Sequence, residues 1–485
     1  MKGLDINTSM IRRLFWIATG LCAGLCAGCA VGPDYHAPAQ AMPARWQSLP
    51  TTQASVLVQQ PVRIERWWTT FNDPELDSLV HRAVASNLNL QLATERILAA
   101  RAQVGINRSG LFPNLNGNGN YVRSGGEKAP WSSLWTAGLD AAWEVDIFGG
   151  VRRSVEQANA NLQASVEDRR DVLVTLLGEV ATDYIDLRGE QQQVAIANEN
   201  LEVESRNAKL TRDKKALGTG TNLDIAQADA QVASTTADLA TLEASVRQSI
   251  YAISVLLGLP PTELSDELTP VKDVPAPPAQ LPVGLPSDLL RRRPDIRRSE
   301  RQLAAATAGI GVAVADLFPK FSLTGNLSLE ASRADLLDWQ HSLWSFGPNV
   351  SWDIFSAGAV QANIDLQNAA QQQALTTYHQ TVLAALQEVQ NVLVAYAQEQ
   401  HRRVALADAV EQNKRAVQLA TERYQQGGLT DFLAVLDAER TLFAAQDALV
   451  VSNAAVGTDA VELYKALGGG WQIDEDAATT EPSTR

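Results

Sequence analysis

The sequence predicts a mainly α-helical protein that also carries membrane-type β strands, and three observations predict it. Two helical runs of about 65 residues, 151–217 and 360–426, are far longer than a globular core needs. Four segments of alternating apolar and polar residues read as strands with two chemically distinct faces. The chain is also written twice: Leu111-Phe-Pro113 recurs as Leu317-Phe-Pro319, Asp146-Ile-Phe148 as Asp353-Ile-Phe355, and Asp229 corresponds to Asp437, with shifts of 206, 207 and 208. A near-constant offset across dissimilar motifs signals two structural repeats.

The N-terminus sets the compartment. Arg12 and Arg13 precede an apolar stretch from Leu14 to Ala27, and Ala27-Gly28-Cys29 forms a small-residue cleavage site. This is a secretory signal over residues 1–28. It resembles the bacterial lipoprotein signal, whose cleavage leaves Cys29 as a lipidated first residue, although Cys26 stands where that signal usually has Leu. Ala30, rather than Asp, follows the lipid cysteine, which in lipoproteins implies sorting to the outer membrane. All three cysteines, Cys22, Cys26 and Cys29, lie in this segment. The competing reading of Cys26-Ala-Gly-Cys29 as a redox or metal pair fits poorly inside an apolar leader.

An extended, proline-bearing segment follows over 29–74, with Asp73-Pro74 as a helix start. The first repeat, 75–259, reads as a helix over 75–107, two strands, the long helix 151–217, a Gly218-Thr-Gly220 turn and a second helix over 223–257. A proline-dense connection spans 260–286. The second repeat, 287–467, has the same order: a helix over 287–315, two strands, the long helix 360–426, a turn at Gly427-Gly428 and a helix over 430–467. The tail 468–485 reads as disordered. In the long runs Leu173, Leu176, Val180, Tyr184 and Leu187, then Val382, Leu386, Val389, Leu393 and Tyr396, recur every three or four residues among Ala, Gln and Asn, a coiled-coil stripe. Unbroken, each run would span roughly 100 Å, the length of a tunnel, stalk or spacer.

The strands carry the most information. Trp135, Ala137, Leu139, Ala141, Trp143, Val145 and Ile147 alternate with Thr136, Gly138, Asp140, Ala142, Glu144, Asp146 and Phe148. Phe321, Leu323, Leu327 and Leu329 alternate with Ser322, Thr324, Asn326, Ser328 and Glu330; Trp344, Phe346, Val350, Trp352 and Ile354 with Ser345, Asn349, Ser351 and Asp353. The segment Leu115 to Tyr121 is the weakest of the four. A soluble sandwich with one wet face is the alternative. Four strands cannot close a membrane barrel, for which about eight is the minimum. Three chains together would supply 12, with their long helices gathered around the same axis.

On Val31-Gly-Pro-Asp-Tyr35, Asn72-Asp-Pro-Glu-Leu-Asp77, Leu111-Phe-Pro113, Trp143-Glu-Val-Asp-Ile-Phe148, Arg291-Arg-Arg-Pro-Asp-Ile-Arg297 and Leu429-Thr-Asp-Phe-Leu-Ala-Val-Leu-Asp-Ala438, the chain resembles the TolC-like outer membrane factors, in their NodT/OprM-like lipoprotein branch. The resemblance implies a homotrimer with a 12-stranded outer membrane β-barrel, four strands per chain, continuous with a long periplasmic α-helical barrel. It implies as partners a periplasmic adaptor protein and, through it, an inner-membrane pump of the resistance-nodulation-division class. It also implies a periplasmic gate ringed by carboxylates: Asp437 matches the gate aspartate, with Arg440 and Tyr424 at positions of gate-locking contacts. Three such carboxylates near one axis would repel one another and concentrate cations. A second acidic position of the family is Ala434 here. Gly218, Gly220, Gly427 and Gly428 mark the hairpin tips where the adaptor would dock.

No chemistry competes with this reading. Lys+Arg 40 against Asp+Glu 55 gives a net charge of −15, which excludes a basic nucleic-acid binder. Beyond the N-terminus there is no run of about 18 apolar residues, which excludes a multi-helix transporter but not a barrel. The five histidines lack metal-ligand spacing, and no glycine run has the phosphate-loop pattern. Asp140 and Glu144 fall on the polar face of a strand, where a channel wall explains them better than a glycosidase pair. The cluster Arg291-Arg-Arg293 opens a helix and reads as a structural or interaction patch. No catalytic residue, metal or cofactor is expected, apart from covalent lipid on Cys29. Two other readings are a type I secretion duct and a non-conducting coiled-coil lipoprotein that spaces the envelope; the second leaves the four strands unexplained.

Overall fold

The computed structural model describes residues 30–46, 64–127, 129–278, 281, 283–331, 342–426 and 432–472. After a short turn of helix at Trp67–Phe71 come α1 (Pro74–Ser86), α2 (Leu88–Ser109), β1 (Asn114–Gly126), β2 (Ala129–Val145), α3 (Gly150–Ala216) and α4 (Asn222–Leu256). The short helices α5 (Ser265–Leu268) and α6 (Leu289–Arg292) follow. Then come α7 (Pro294–Ala315), β3 (Lys320–Ala331), β4 (Ser342–Ser351), α8 (Ala359–Gln425) and α9 (Phe432–Ala466). The long helices α3 and α8 each run 67 residues without a break, and α4 and α9 each run 35. No described helix is long and apolar enough to cross a membrane.

Two expected helices are each split. The run 75–107 divides at Asn87, whose backbone turns extended and ends α1. Its side chain then accepts from the Leu90 amide at 3.0 Å and donates to the Leu256 carbonyl at 2.8 Å. Asn87 thus closes one helix and caps the next. The run 287–315 divides at Arg293, which the following Pro294 forces into an extended conformation. The start of the expected helix at Thr430 lies outside the described residues.

The contacts divide the chain into two compact units. The first comprises Met1–Gln40, Glu95–Glu167 and Arg297–Gln380 and holds one antiparallel sheet in the order β1-β2-β3-β4. Its register carries the sequence alternation across all four strands. Asn116, Asp140, Asn326 and Ser345 stand in one row, and Gly117, Leu139, Leu327 and Trp344 in the next. Asp140 binds the row together, accepting from Asn118 and, at 2.6 Å, from Asn326. The apolar face is bare: Trp344 is 78% and Phe346 72% exposed, and Leu115, Leu139 and Val350 are exposed beside them. A sandwich would cover that face with a second sheet; none is present among the described residues.

One contact occurs twice in this unit and explains the Leu-Phe-Pro motif. The Trp143 indole donates to the Leu111 carbonyl at 3.0 Å, and the Trp352 indole to the Leu317 carbonyl at 3.1 Å. Each motif thus follows a helix with a carbonyl aimed at the end of a strand.

The second unit comprises Ala41–Thr94, Asp168–Ile296 and Thr381–Arg485. Its core is built on Trp67, Trp68, Phe71, Leu76, Leu79, Tyr184, Ile185 and Tyr464. The Trp67 and Tyr464 rings stack at 5.2 Å. Each such side chain contributes about 1.5–3 kcal/mol by leaving water. The cluster Arg291-Arg-Arg293 proves structural at its third member: Arg293 donates to Asp295, to Glu388 at 2.6 Å and to the Ala466 carbonyl at 2.8 Å, and so ties α7 to α8 and to the end of α9.

Candidate functional site

At the far end of the second unit, α3, α4, α8 and α9 close on a small apolar knot of Ala208, Ala228, Tyr424, Phe432, Val435 and Leu436. The sequence forms it with single apolar residues spaced along otherwise polar helices. Tyr424 is buried, with its ring 5.5 Å from that of Phe432. Lys214 reaches over the Tyr424 ring at 3.5 Å and donates to the Tyr424 carbonyl at 2.7 Å. Arg212 pairs with Asp229, joining α3 to α4.

Along the first turns of α9, Phe432, Val435, Leu436 and Glu439 face inward, and Leu433, Ala434, Asp437 and Arg440 face outward. Asp437 is exposed and has no ion pair among the described residues. Arg440 is tied back: its Nε donates to Gln231 Oε1 of α4 at 2.6 Å. Of the three residues expected at a gate, Tyr424 and Arg440 fasten α8 and α9 to α3 and α4, and Asp437 stands on the open face of α9.

The α3–α4 hairpin turns at Gly218 and Gly220. Gly218 has φ +79°, a conformation that strains any residue with a Cβ. A Cβ on Gly220 would lie 2.9 Å from the Lys215 nitrogen. Thr221 then caps α4 in a reciprocal capping box with Asp224. The turn thrusts Leu217 and Leu223 outward, 81% and 64% exposed. Sequence reasoning named the glycines and missed the leucines, which stood only as the last and first residues of the helices predicted over 151–217 and 223–257. The turn at Gly427 and Gly428 lies outside the described residues, as does Cys29.

Just after Cys29, Val31-Gly-Pro-Asp-Tyr35 is bolted to the first unit. The Val31 amide donates to the Phe148 carbonyl at 3.0 Å, and buried Arg153 donates to the Val31 and Gly32 carbonyls and to Asp34 at 2.7 Å. Gly32, at φ +88°, lies directly against Gly311. Tyr35 donates to Glu300 at 3.0 Å.

Sequence reasoning also missed a set of carboxylates on α3. Asp183, Asp186 and Glu190 line a cavity of about 510 Å³ with Gln193, Ser249 and Thr458. Burial, with Asp186, Glu179 and Glu190 nearby, pushes Asp183 up to about 6. No group of three or more metal-ligating side chains is assembled among the described residues.

Comparison with known proteins fits this arrangement. Residues 79–259 and 285–469 match the family model described as outer membrane efflux protein. The chain is 32% identical over 477 residues to the antibiotic efflux pump outer membrane protein ArpC of Pseudomonas putida, covering 96% of this chain and 98% of that one. It is 35% identical over 446 residues to the pyoverdine export outer membrane protein OpmQ of Pseudomonas aeruginosa, covering 90% and 92%. Among solved structures, the outer-membrane channel OprN is similar with a TM-score of 0.84 and 37% identity, over 92% of this chain and all of that one.

Proposed function

This chain belongs to the outer membrane efflux protein family, and we propose that it is the passive, gated exit duct of a tripartite efflux system, working as a lipid-anchored trimer. The single observation that carries the mechanism is the sheet: among the described residues it has four strands, two edge strands without partners and a bare apolar face opposite a polar one. In lipid an open edge leaves its backbone groups unsatisfied, so the edges β1 and β4 must be paired by other copies. Three copies supply 12 strands, with the row of Asn116, Asp140 and Asn326 lining the water-filled bore and Leu139, Leu327 and Trp344 facing lipid.

The long helices of three copies extend the bore into the periplasm, and the lipid on Cys29 holds the assembly at the outer membrane. At the periplasmic end three copies of α9 present Asp437 toward one axis, where the carboxylates gather cations and narrow the opening. Tyr424 and Arg440 keep that end shut. The hairpin tips at Gly218 and Gly220, and at Gly427 and Gly428, receive the periplasmic adaptor, which couples the duct to an inner-membrane pump. The chain performs no chemistry of its own. What passes through it is set mainly by the pump, since a polar bore offers little discrimination.

Planar-bilayer recording of the purified full-length protein tests this reading. Discrete, cation-preferring steps of small amplitude are expected from a duct whose gate rests closed. Silence from well-folded protein overturns it and returns the envelope-spacing reading. Docking is tested at the tip: Leu217→Asp replaces an exposed apolar contact with a charge and should abolish adaptor capture in pull-down, leaving thermal stability within about 0.5 kcal/mol of the parent because Leu217 is 81% exposed.

A further inference from the structure

Next to the apolar knot lie two carboxylates that neither the gate nor the docking tip uses. Glu204 of α3 is 4% exposed and Glu439 of α9 is 7% exposed. Glu439 accepts from Asn207 of α3. Glu204 Oε1 accepts from Gln231 of α4 at 2.9 Å, and Gln231 in turn accepts from Arg440 of α9. The other oxygen, Glu204 Oε2, is buried and makes no bond at hydrogen-bonding geometry, with the Thr235 hydroxyl as a neighbouring donor. Three helices therefore meet on a buried network that contains two acids.

We propose that Glu204 and Glu439 form a proton-operated latch: a proton shared into this network fastens the start of α9 to α3 and α4, and its loss loosens them. Two ionised carboxylates in a buried, helix-walled site repel each other and forgo their hydration. One proton removes a charge, and with it the repulsion and the lost hydration of that carboxylate. The groups that act on Glu439 are Asn207 and Glu204 of α3. Those on Glu204 are Thr235, Gln231 and Asp238 of α4 and Arg440 of α9. Arg440 is the one cation among them; it is exposed and spends its Nε on Gln231, so it offsets only part of the repulsion. Burial, then the neighbouring Glu204 against the Asn207 hydrogen bond, pushes Glu439 up to about 7, within the range a periplasm open to the medium experiences.

The direction follows from linkage. When α9 is docked, Glu439 holds its proton to higher pH than when α9 is released and the carboxyl is hydrated at its ordinary value of 4.5. Docking is therefore strengthened as pH falls through 7 and weakened as it rises. That the latch also shuts the duct rests on reading the start of α9 as the gate.

Hydrogen exchange of peptides covering residues 432–445 in the full-length protein, corrected for the intrinsic pH dependence, tests the latch. Protection about tenfold greater at pH 6 than at pH 8 is expected. In Glu439→Gln, a neutral isostere, protection should be high and flat across that range, and Glu204→Gln should reduce the pH dependence without abolishing it, because Glu439 stays buried. A wild-type ratio near one, or the same ratio in wild type and Glu439→Gln, overturns the latch. Open probability in bilayers should fall between pH 8 and pH 6. If exchange follows the latch and conductance ignores pH, the latch stands and the placing of the gate at α9 fails.

Discussion

Glu75→Ala should cost about 3–5 kcal/mol, because it strips the counter-charge from a fully buried arginine. Arg188 of α3 has no exposed side-chain surface and pairs with Glu75 of α1. Its Nη1 is spent on Gln191 at 2.6 Å and on the Pro270 carbonyl at 2.8 Å. Lys272 also reaches Glu75, at 2.8 Å, and the Tyr184 hydroxyl, with one proton to give, lies 2.9 Å from both Asp73 and Glu75. Removing the carboxylate leaves a cation, an ammonium and a hydroxyl around an empty site. Glu75→Gln keeps the shape and one acceptor and should cost less. The double change Arg188→Met with Glu75→Gln should recover much of the loss, because replacing a buried pair is far cheaper than orphaning one member.

Calorimetry of the detergent-solubilised protein measures this, and pH gives an independent sign. Although burial works to raise it, hydrogen bonds from Lys272 and Tyr184 and the charges of Arg188 and Lys272 hold Glu75 below its usual value. A depressed carboxylate contributes fully above its unfolded pKa and loses that contribution as pH falls through the folded one. Asp183 and Asp459, both pushed up to about 6 by burial and neighbouring carboxylates, act oppositely: their relative stabilisation grows as pH falls from neutral. Wild-type stability should therefore rise on mild acidification and fall steeply at more acid pH. Glu75→Ala should keep the first limb and flatten the second. An unchanged acid limb would show that Glu75 is not the group holding α1 to α3.

How far each feature was legible depends on whether its cause is local. The strands were readable because period-two alternation maps directly onto two faces, and the register keeps Asn116, Asp140 and Asn326 in one row. The long helices were readable from their stripes to within a residue or so at each described end. Asn87 escaped because a polar residue within a periodic run looks like a solvent-facing position. Its capping role needs the Leu256 carbonyl, brought from 169 residues away. Arg188 looked like one more charge between Leu187 and Gly189; its burial depends on Glu75 and on the carbonyls of 268 and 270. At the end proposed as the gate, the sequence offered Asp437, Arg440 and Tyr424 through resemblance. It could not offer Glu204 with Glu439, whose meeting requires helices more than 200 residues apart in the chain. Leu217 and Leu223 were hidden because they stood only as ends of predicted helices, and their exposure depends on the turn between them.

Tyr424→Ala should produce the largest functional change, a duct that leaks without its pump. The apolar knot is small, and Tyr424 is its largest member beside Phe432. Deleting a buried aromatic costs about 3–5 kcal/mol through lost burial and the cavity left behind. Here the loss also removes the face over which Lys214 sits and loosens its grip on the Tyr424 carbonyl. The trunks of α3 and α8 have their own stripes above this level, so the cost falls on the last turns of α8 and the first of α9. Local opening, rather than unfolding, is then the cheapest response. Bilayer recording should show open probability raised at least tenfold with cation preference kept, since Asp437 is untouched. Cells should become sensitive to large toxic solutes that the outer membrane normally excludes. Asp437→Ala makes the complementary test: cation preference should fall and the closed state should loosen, at almost no cost in folding stability because the side chain is exposed. Tyr424→Ala with normal conductance would show that the knot merely packs the tip and that the gate is held elsewhere.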